Sequence, residues 1–108
     1  MTTVNIRYLV DDVDAAVGFY ELLGFDAQLR PGPGFAMLVR DNLRLLLNTP
    51  GGGGGAGESM PDGRRPEPGG WNRFQLETDD LDRLVAELTR HGVQFRSPVI
   101  TGRGGRQV

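Results

Sequence analysis

The chain has 108 residues, 38% of them hydrophobic, which is enough for one domain over residues 1–108 with one hydrophobic core. Its 12 basic and 14 acidic residues give a formal net charge of −2, which argues against a nucleic-acid partner. The sequence has no cysteine, no long apolar run and no signal-peptide core, so it excludes disulfides and predicts a cytoplasmic protein with no membrane partner.

The first part of the chain predicts a strand, a helix and three more strands. Apolar and more polar residues alternate from Val4 to Val10, the pattern of a strand with one buried face. Asp12 is placed to cap a helix that ends before Gly24, so we interpret the nearby aspartates as caps rather than catalytic pairs. Three strands follow over residues 25–29, 35–39 and 43–47, with turns at 31–34 and 41–42. Residues 3–48 are therefore predicted to form one βαβββ module.

The same pattern returns later in the chain, at an offset that aligns Asp12 with Asp80 and Gly24 with Gly92. This second copy predicts a strand, a helix, a strand and the start of an extended segment, over residues 71–78, 81–91, 93–100 and 103–107. The second module covers residues 71–108. The offset places its fourth strand at 111–115, so this last strand is missing from the sequence. We expect a shortened chain; the alternative is that a neighbouring chain completes the sheet.

Residues 49–70 join the two modules as a Gly/Pro-rich loop with nine glycines and four prolines. This composition predicts a flexible connector without packed structure. The glycine run is not followed by Gly-Lys-Ser/Thr, so it is not a phosphate-binding loop. We interpret the segment as a plain linker, with a mobile lid over a pocket as the alternative.

Paired motifs in the two modules resemble the vicinal oxygen chelate superfamily, which includes glyoxalase I, the bleomycin-resistance proteins and the extradiol dioxygenases. In the first module they are Val10-x-Asp12, Phe19-Tyr20 and Leu23-Gly24-Phe25. In the second they are Gly70-Trp71-Asn72-Arg73-Phe74, Asp79-Asp80-Leu81-Asp82 and His91-Gly92-Val93. The resemblance implies an α+β fold of two βαβββ modules around a shared cavity, assembled as a homodimer.

The residues at that family's metal-ligand positions are unusual in this chain. Metal-dependent members take one ligand from the first strand of each module and a carboxylate from the last strand. Here the first-strand positions hold Asn5 and Arg73, and residues 43–48 contain no carboxylate. Asparagine is a poor ligand for a soft divalent ion and arginine keeps its proton, so we expect no metal and no other cofactor. His91 lies at the end of a predicted helix and is assigned a structural role.

The strand alternation also predicts which side chains line the cavity. If Ile6 and Tyr8 pack beneath the helices, the opposite face carries polar residues suited to a small polar or anionic molecule. The predicted binding residues are Asn5, Arg7, Phe35, Met37, Trp71, Arg73, Gln75 and Glu77. The alternative is that Arg7, Arg73 and Glu77 only pair with one another across the sheet and that Trp71 fills the junction between the modules.

These residues lead to three hypotheses for the function. The first is a glyoxalase/bleomycin-resistance-like protein that binds a small polar or anionic molecule in a metal-free cavity. The second is a metal-dependent lyase or dioxygenase of the same superfamily, which Asn5 and Arg73 disfavour. The third is a structural dimerisation module with a filled cavity. The sequence leaves open whether the protein is an enzyme.

Overall fold

A computed structural model describes residues 4–52, 57–70 and 73–108 of the chain. It divides the chain into two compact units, Met1–Asn72 and Arg73–Val108. Both units mix helix with strand, so the predicted α+β class is confirmed. The single domain over residues 1–108 and the module limits stay predictions.

The first unit has the predicted order of one strand, one helix and three strands. Its elements are β1 (Val4–Leu9), α1 (Val13–Leu22), β2 (Asp26–Gly32), β3 (Phe35–Arg40) and β4 (Leu43–Asn48). The strands form one sheet in the order β1-β4-β3-β2, in which β1 runs parallel to β4 and the other pairs are antiparallel. Because β1 is an edge strand, its ladder with β4 is what joins the start of the chain to the rest of this sheet.

Two tight turns connect the antiparallel strands. The predicted turn between β3 and β4 is confirmed, and Asp41 within it has a φ of 53°, a conformation that aspartate tolerates better than most residues. The turn predicted over residues 31–34 is shorter than expected, because β2 continues to Gly32, which pairs with Phe35. An irregular register between β2 and β3 accommodates these additional strand residues.

The hydrophobic core of the first unit lies between the sheet and α1. Alternate residues of β3 and β4 are fully buried, namely Ala36, Leu38, Leu45 and Leu47. Val13 and Val17 of α1 are buried as well, at 1% exposure each. Asp12 caps this helix as predicted, since its side chain accepts a hydrogen bond of 3.1 Å from the backbone N–H of Ala15. Gly24 follows the helix with a φ of 89°, as expected of a residue that ends a helix.

The glycine-rich segment after β4 is packed at its beginning, which corrects the prediction of a connector without packed structure. The backbone N–H of Gly51 donates to the carbonyl of Gly57 at 2.7 Å, and that of Gly52 donates to Thr49 at 2.9 Å. Gly57 is buried, and any side chain there would overlap the backbone of Gly52. Close backbone approach therefore explains these glycines better than chain flexibility does.

The second unit contains α2 (Leu81–Arg90) and a hairpin of β5 (Ile100–Gly102) and β6 (Gly105–Gln107). Asp80 caps α2 by accepting a hydrogen bond of 3.0 Å from the backbone N–H of Arg83, which confirms the predicted cap. Gly92 follows with a φ of 82°. His91 is the residue that ends the helix, and its backbone N–H donates to helix carbonyls. The structural or surface role of its side chain stays a prediction.

The strands predicted around α2 were wrong. Residues 73–78 form no strand, residues 71–72 lie outside the described part of the chain, and in the range 93–100 only Ile100 is in a strand. A strand needs a neighbour for its hydrogen bonds, and in the first unit β1 is bonded to β4. The extended segment predicted over 103–107 is instead one arm and the turn of the β5–β6 hairpin.

Neither α1 nor α2 is long enough or apolar enough to cross a bilayer, and the described residues contain no other candidate span.

Candidate ligand-binding face

The sheet of the first unit has one side covered by α1 and an opposite side, which we call the distal face. Successive side chains of a strand point to opposite sides of a sheet, so the residues between the buried ones face away from α1. The distal face is formed by Asn5, Arg7 and Leu9 of β1, Arg44, Leu46 and Asn48 of β4, and Phe35, Met37 and Val39 of β3. Ile6 and Tyr8 lie on the α1 side, in register with Leu45 and Leu47, as the alternation predicted.

The strand register sets which side chains of the distal face are neighbours. Arg7 lies beside Leu46, and Leu46 lies beside Met37 on the next strand. In the adjoining row Asn48 lies beside Phe35. Four of the eight predicted binding residues therefore share one face, with apolar side chains between the polar ones.

Arg7 has the most defined environment of the predicted residues. Its Nη1 donates a hydrogen bond of 2.9 Å to Oδ1 of Asn48, and its guanidinium carbon lies 5.8 Å from the centre of the Phe35 ring. No carboxylate among the described residues of this unit pairs with it. The side chain remains exposed overall, so its Nε and Nη2 donors are accessible to a ligand.

Asn48 is a residue of the distal face that the sequence analysis did not select. It is fully buried, and its Nδ2 donates to the carbonyls of Thr49 at 3.1 Å and Gly52 at 3.2 Å. The available signal was a polar residue at the end of a strand that is apolar apart from Arg44, on the same side as Arg44. An amide does not match the carboxylate that the family resemblance implies on this strand, so the sequence alone did not single it out.

A second cation lies on the same face. Arg44 is in register with Asn5 of β1, and both side chains are exposed. As for Arg7, no carboxylate of the described residues in this unit forms an ion pair with Arg44. The distal face therefore presents two guanidinium groups and the exposed amide of Asn5 around an apolar centre, which is a donor-rich surface suited to oxyanions.

The remaining predicted residues lie either in the second unit or outside the described part of the chain. Trp71 lies outside the described residues. Arg73, Gln75 and Glu77 are in the second unit, where all three are exposed and alternate with half-buried Phe74 and Leu76. Gln75 donates through Nε2 to Oε1 of Gln107 at 3.4 Å. The predicted alternation is thus retained without a strand, while the joint site with the first module stays a prediction.

Tyr20 lies in α1, and the pKa of its hydroxyl is above the usual range of tyrosine. Partial burial raises the pKa of its hydroxyl, and the nearby Tyr8 raises it further. Tyr20 also packs edge-on against Phe25, with 5.6 Å between the ring centres. Its hydroxyl therefore stays protonated at neutral pH and is a core group rather than a base.

The residues of the distal face do not fit a divalent metal. The position where the family resemblance implies a ligand holds the amide of Asn5, and the β4 residues on this face are Arg44, Leu46 and Asn48. Within the described residues, no three histidine, cysteine, aspartate or glutamate side chains are close enough to hold an ion. Catalytic metal sites normally have about three such protein ligands, so we derive no chemical step through a metal.

Comparison with known proteins gives one family for this chain. Residues 3–108 match the family model described as Glyoxalase/Bleomycin resistance protein/Dioxygenase superfamily. No curated protein matches the chain.

Two crystal structures resemble the chain over nearly its whole length. Lactoylglutathione lyase from Agrobacterium tumefaciens is 18% identical, with a TM-score of 0.72 over 96% of this chain and 79% of that one. At this identity the likeness shows the fold alone. A member of the Glyoxalase/bleomycin resistance protein/dioxygenase superfamily from Sphaerobacter thermophilus is 29% identical, with a TM-score of 0.66 over 97% of this chain and 82% of that one.

Proposed function

Because the chain belongs to the Glyoxalase/Bleomycin resistance protein/Dioxygenase superfamily, we propose that it binds a small polar or anionic molecule on the distal face, without a metal. The observation that carries this proposal is the accessible guanidinium of Arg7, which is bonded to a neutral amide. Its positive charge is therefore available to a ligand.

The geometry around Arg7 favours a carboxylate or phosphate group. One Nη1 donor is engaged by Asn48, while Nε and Nη2 form the edge that binds two oxygens of one oxyanion side by side. Arg44 adds a second positive charge on the same face. Together the two arginines favour an anion over a neutral molecule of the same shape.

The centre of the distal face favours a ligand that also has an apolar part. Phe35, Met37 and Leu46 are half-buried there, next to the guanidinium of Arg7. Binding sites for small molecules commonly combine such apolar walls with a few polar groups that fix orientation. The proposed ligand class is therefore a small organic carboxylate or phosphate.

Calorimetric titration with benzoate, inorganic phosphate and the neutral analogue benzamide tests this proposal. We expect benzoate to bind and benzamide to bind at least tenfold more weakly, since benzamide lacks the charge that Arg7 would bond. Arg7→Gln should weaken benzoate binding at least tenfold, in line with a lost charged hydrogen bond of ~1.5–3 kcal/mol. Arg103→Gln, which removes the same charge from the exposed β5–β6 turn, is the matched control and should have no effect.

Three results would contradict the proposed function. Equal affinity for benzoate and benzamide would remove the argument from charge. An unchanged affinity for benzoate in Arg7→Gln would show that benzoate binds at a site that does not include Arg7. A stoichiometric divalent ion, found by elemental analysis of the purified protein, would support a metal-dependent lyase or dioxygenase with ligands in unexpected positions.

Assembly and location form part of the same proposal. We expect a homodimer, as the family resemblance implies, and a cytoplasmic location, as the composition predicts. Sedimentation equilibrium measures the first directly. A dimer in which none of the anions raises the melting temperature in proportion to its concentration would favour the structural dimerisation module.

A further inference from the structure

Asn48 is the one buried polar or charged side chain among the described residues, with no surface exposed. Its three hydrogen bonds use all of its polar atoms: Oδ1 accepts from Arg7, and Nδ2 donates to Thr49 and Gly52. A buried amide with every donor and acceptor engaged has one well-defined orientation.

The two backbone carbonyls decide which way the amide points. Thr49 and Gly52 both present carbonyl oxygens, which only accept, so they require the Nδ2 end of Asn48. Rotating the amide by half a turn would put its oxygen against both carbonyls. The Oδ1 end is therefore directed to Arg7 by the backbone of the glycine-rich turn.

This arrangement has a direct effect on Arg7. Arginine has a long side chain with many rotamers, and freezing one of them on ligand binding opposes affinity. The bond from Nη1 to Asn48 and the contact with the Phe35 ring fix the guanidinium before any ligand arrives. The Nε and Nη2 edge is then held in one orientation.

The glycine-rich turn is close-packed around the same amide. A Cβ at Gly52 would lie 2.6 Å from the carbonyl oxygen of Gly34 and 2.7 Å from Oγ1 of Thr49, closer than real contacts allow. The N–H of Thr49 also donates to the carbonyl of Gly34 at 3.1 Å. The turn that orients Asn48 is therefore anchored to the β2–β3 turn at the same end of the sheet.

We propose that Asn48 is a positioning residue, which holds the Arg7 guanidinium in its binding orientation and is itself oriented by the Thr49–Gly52 turn. The inference rests on the proposed function of Arg7. It adds that affinity for the anion depends on a residue that the ligand does not touch.

Two substitutions separate positioning from a general structural role. Asn48→Leu keeps a similar volume but removes the acceptor for Arg7. Asn48→Asp keeps an acceptor for Arg7, now a charged one, and removes the donors to the turn. We measure the dissociation constant for benzoate by calorimetry and the order of Arg7 from the ¹⁵N NMR signal of its Nε–H.

The expected results differ between the two variants. Asn48→Leu should weaken benzoate binding five- to tenfold and make the Arg7 signal that of a freely rotating side chain. Asn48→Asp should weaken binding at least as much, because its carboxylate neutralises the guanidinium, while the Arg7 signal stays that of an ordered group. If Asn48→Leu does not fold, Asn48→Asp alone still tests the proposal, because it should lower the affinity for benzoate while the NMR signal of Arg7 remains that of an ordered side chain.

A double-mutant comparison completes the test. In the Arg7→Gln background, Asn48→Leu should cause no further loss of benzoate affinity, because the residue it positions is gone. An equal further loss would overturn the proposal, and so would an unchanged Arg7 signal in Asn48→Leu.

The failure of the proposed function has a different signature. If the wild-type protein binds neither benzoate nor phosphate, the anion site is refuted. The Arg7 signal then still reports whether Asn48 orders the side chain.

Discussion

Gly57 illustrates how glycines of one chain differ in their surroundings. A methyl group added there would overlap the carbonyl oxygen of Gly52, whereas Gly32 has open space around its Cα and no left-handed backbone. The amino-acid composition does not distinguish these two glycines, whereas the atoms packed around each of them do. The glycine-rich segment around Gly57 was predicted to be a flexible linker because a sequence shows the number of glycines and not the atoms that approach them.

We predict that Gly57→Ala destabilises the protein by about 1–3 kcal/mol, the range for overpacking at a close contact. Gly32→Ala is the control and should change the free energy of unfolding by less than ~1 kcal/mol. Urea denaturation of both variants measures the difference. A neutral Gly57→Ala would show that the turn opens without cost.

A second prediction at this scale concerns the pKa of Asp82. Two hydrogen bonds from Arg106, with its positive charge, hold the pKa of this carboxyl below its usual range. The stabilisation from this pair is therefore complete above the usual pKa of aspartate and is lost as the pH falls through the lowered value. Since both groups are exposed, salt weakens it.

Carboxyl NMR titration should show the lowered pKa of Asp82 and its return to the usual range in Arg106→Gln. Arg90→Gln is a suitable control, because Arg90 is on the same helix and pairs with Glu87 instead. A pKa of Asp82 that also rises in this control would indicate a general effect of charge rather than the pair.

The two helices are the elements whose limits the sequence predicted best. Each begins after an aspartate that caps it and ends before a glycine with positive φ. These signals are local, since a cap acts on the N–H groups of its own first turn. These local signals do not depend on contacts with distant parts of the chain. Both copies of the pattern therefore form a helix.

Asp12→Ala should lower the free energy of unfolding by about 1 kcal/mol, because the N–H of Ala15 loses its acceptor. Asp11→Ala removes the same charge from the preceding exposed residue and should stay within ~0.5 kcal/mol of wild type. Equal losses in both variants, measured by thermal or urea unfolding, would mean that charge near the helix matters more than the cap.

Strands were predicted well in one unit and poorly in the other, for a physical reason. Alternation shows which residues are suited to a strand, but a strand forms only where a neighbour bonds to it. Ile6 and Tyr8 have that neighbour in β4. Phe74 and Leu76 have the same alternation and form no strand among the described residues.

At the scale of the whole molecule, the residues of the distal face were predicted in part. Alternation placed Asn5 and Arg7 on one side of a sheet, Phe35 and Met37 were predicted as apolar walls beside them, and the structure brings these four together. Asn48 was missed because its role depends on the fold of the turn after it. Whether Arg73, Gln75 and Glu77 join this face stays a prediction.

We also predict that stability is unevenly distributed between the two units. The fully buried side chains of the described chain are concentrated in the first unit, while α2 contributes Leu88 as its one buried residue. Native-state hydrogen exchange should therefore show the slowest amides in β3 and β4, with those of α2 at least tenfold faster. Leu38→Ala is expected to lower the free energy of unfolding by about 2–5 kcal/mol. The amides whose exchange becomes faster in this variant are those that report on the core. Equal protection in α2 would show that both units open together.

Arg7 and Asn48 are 41 positions apart in the chain, whereas β2, β3 and β4 are joined by short turns. Closing a long loop is slower than forming a hairpin, so we expect β1 to join its parallel partner late, after the three-stranded part has formed. The arginine then reaches its amide only in the completed unit, so the proposed anion site forms last. A bound anion would accordingly slow unfolding and leave the rate of folding unchanged.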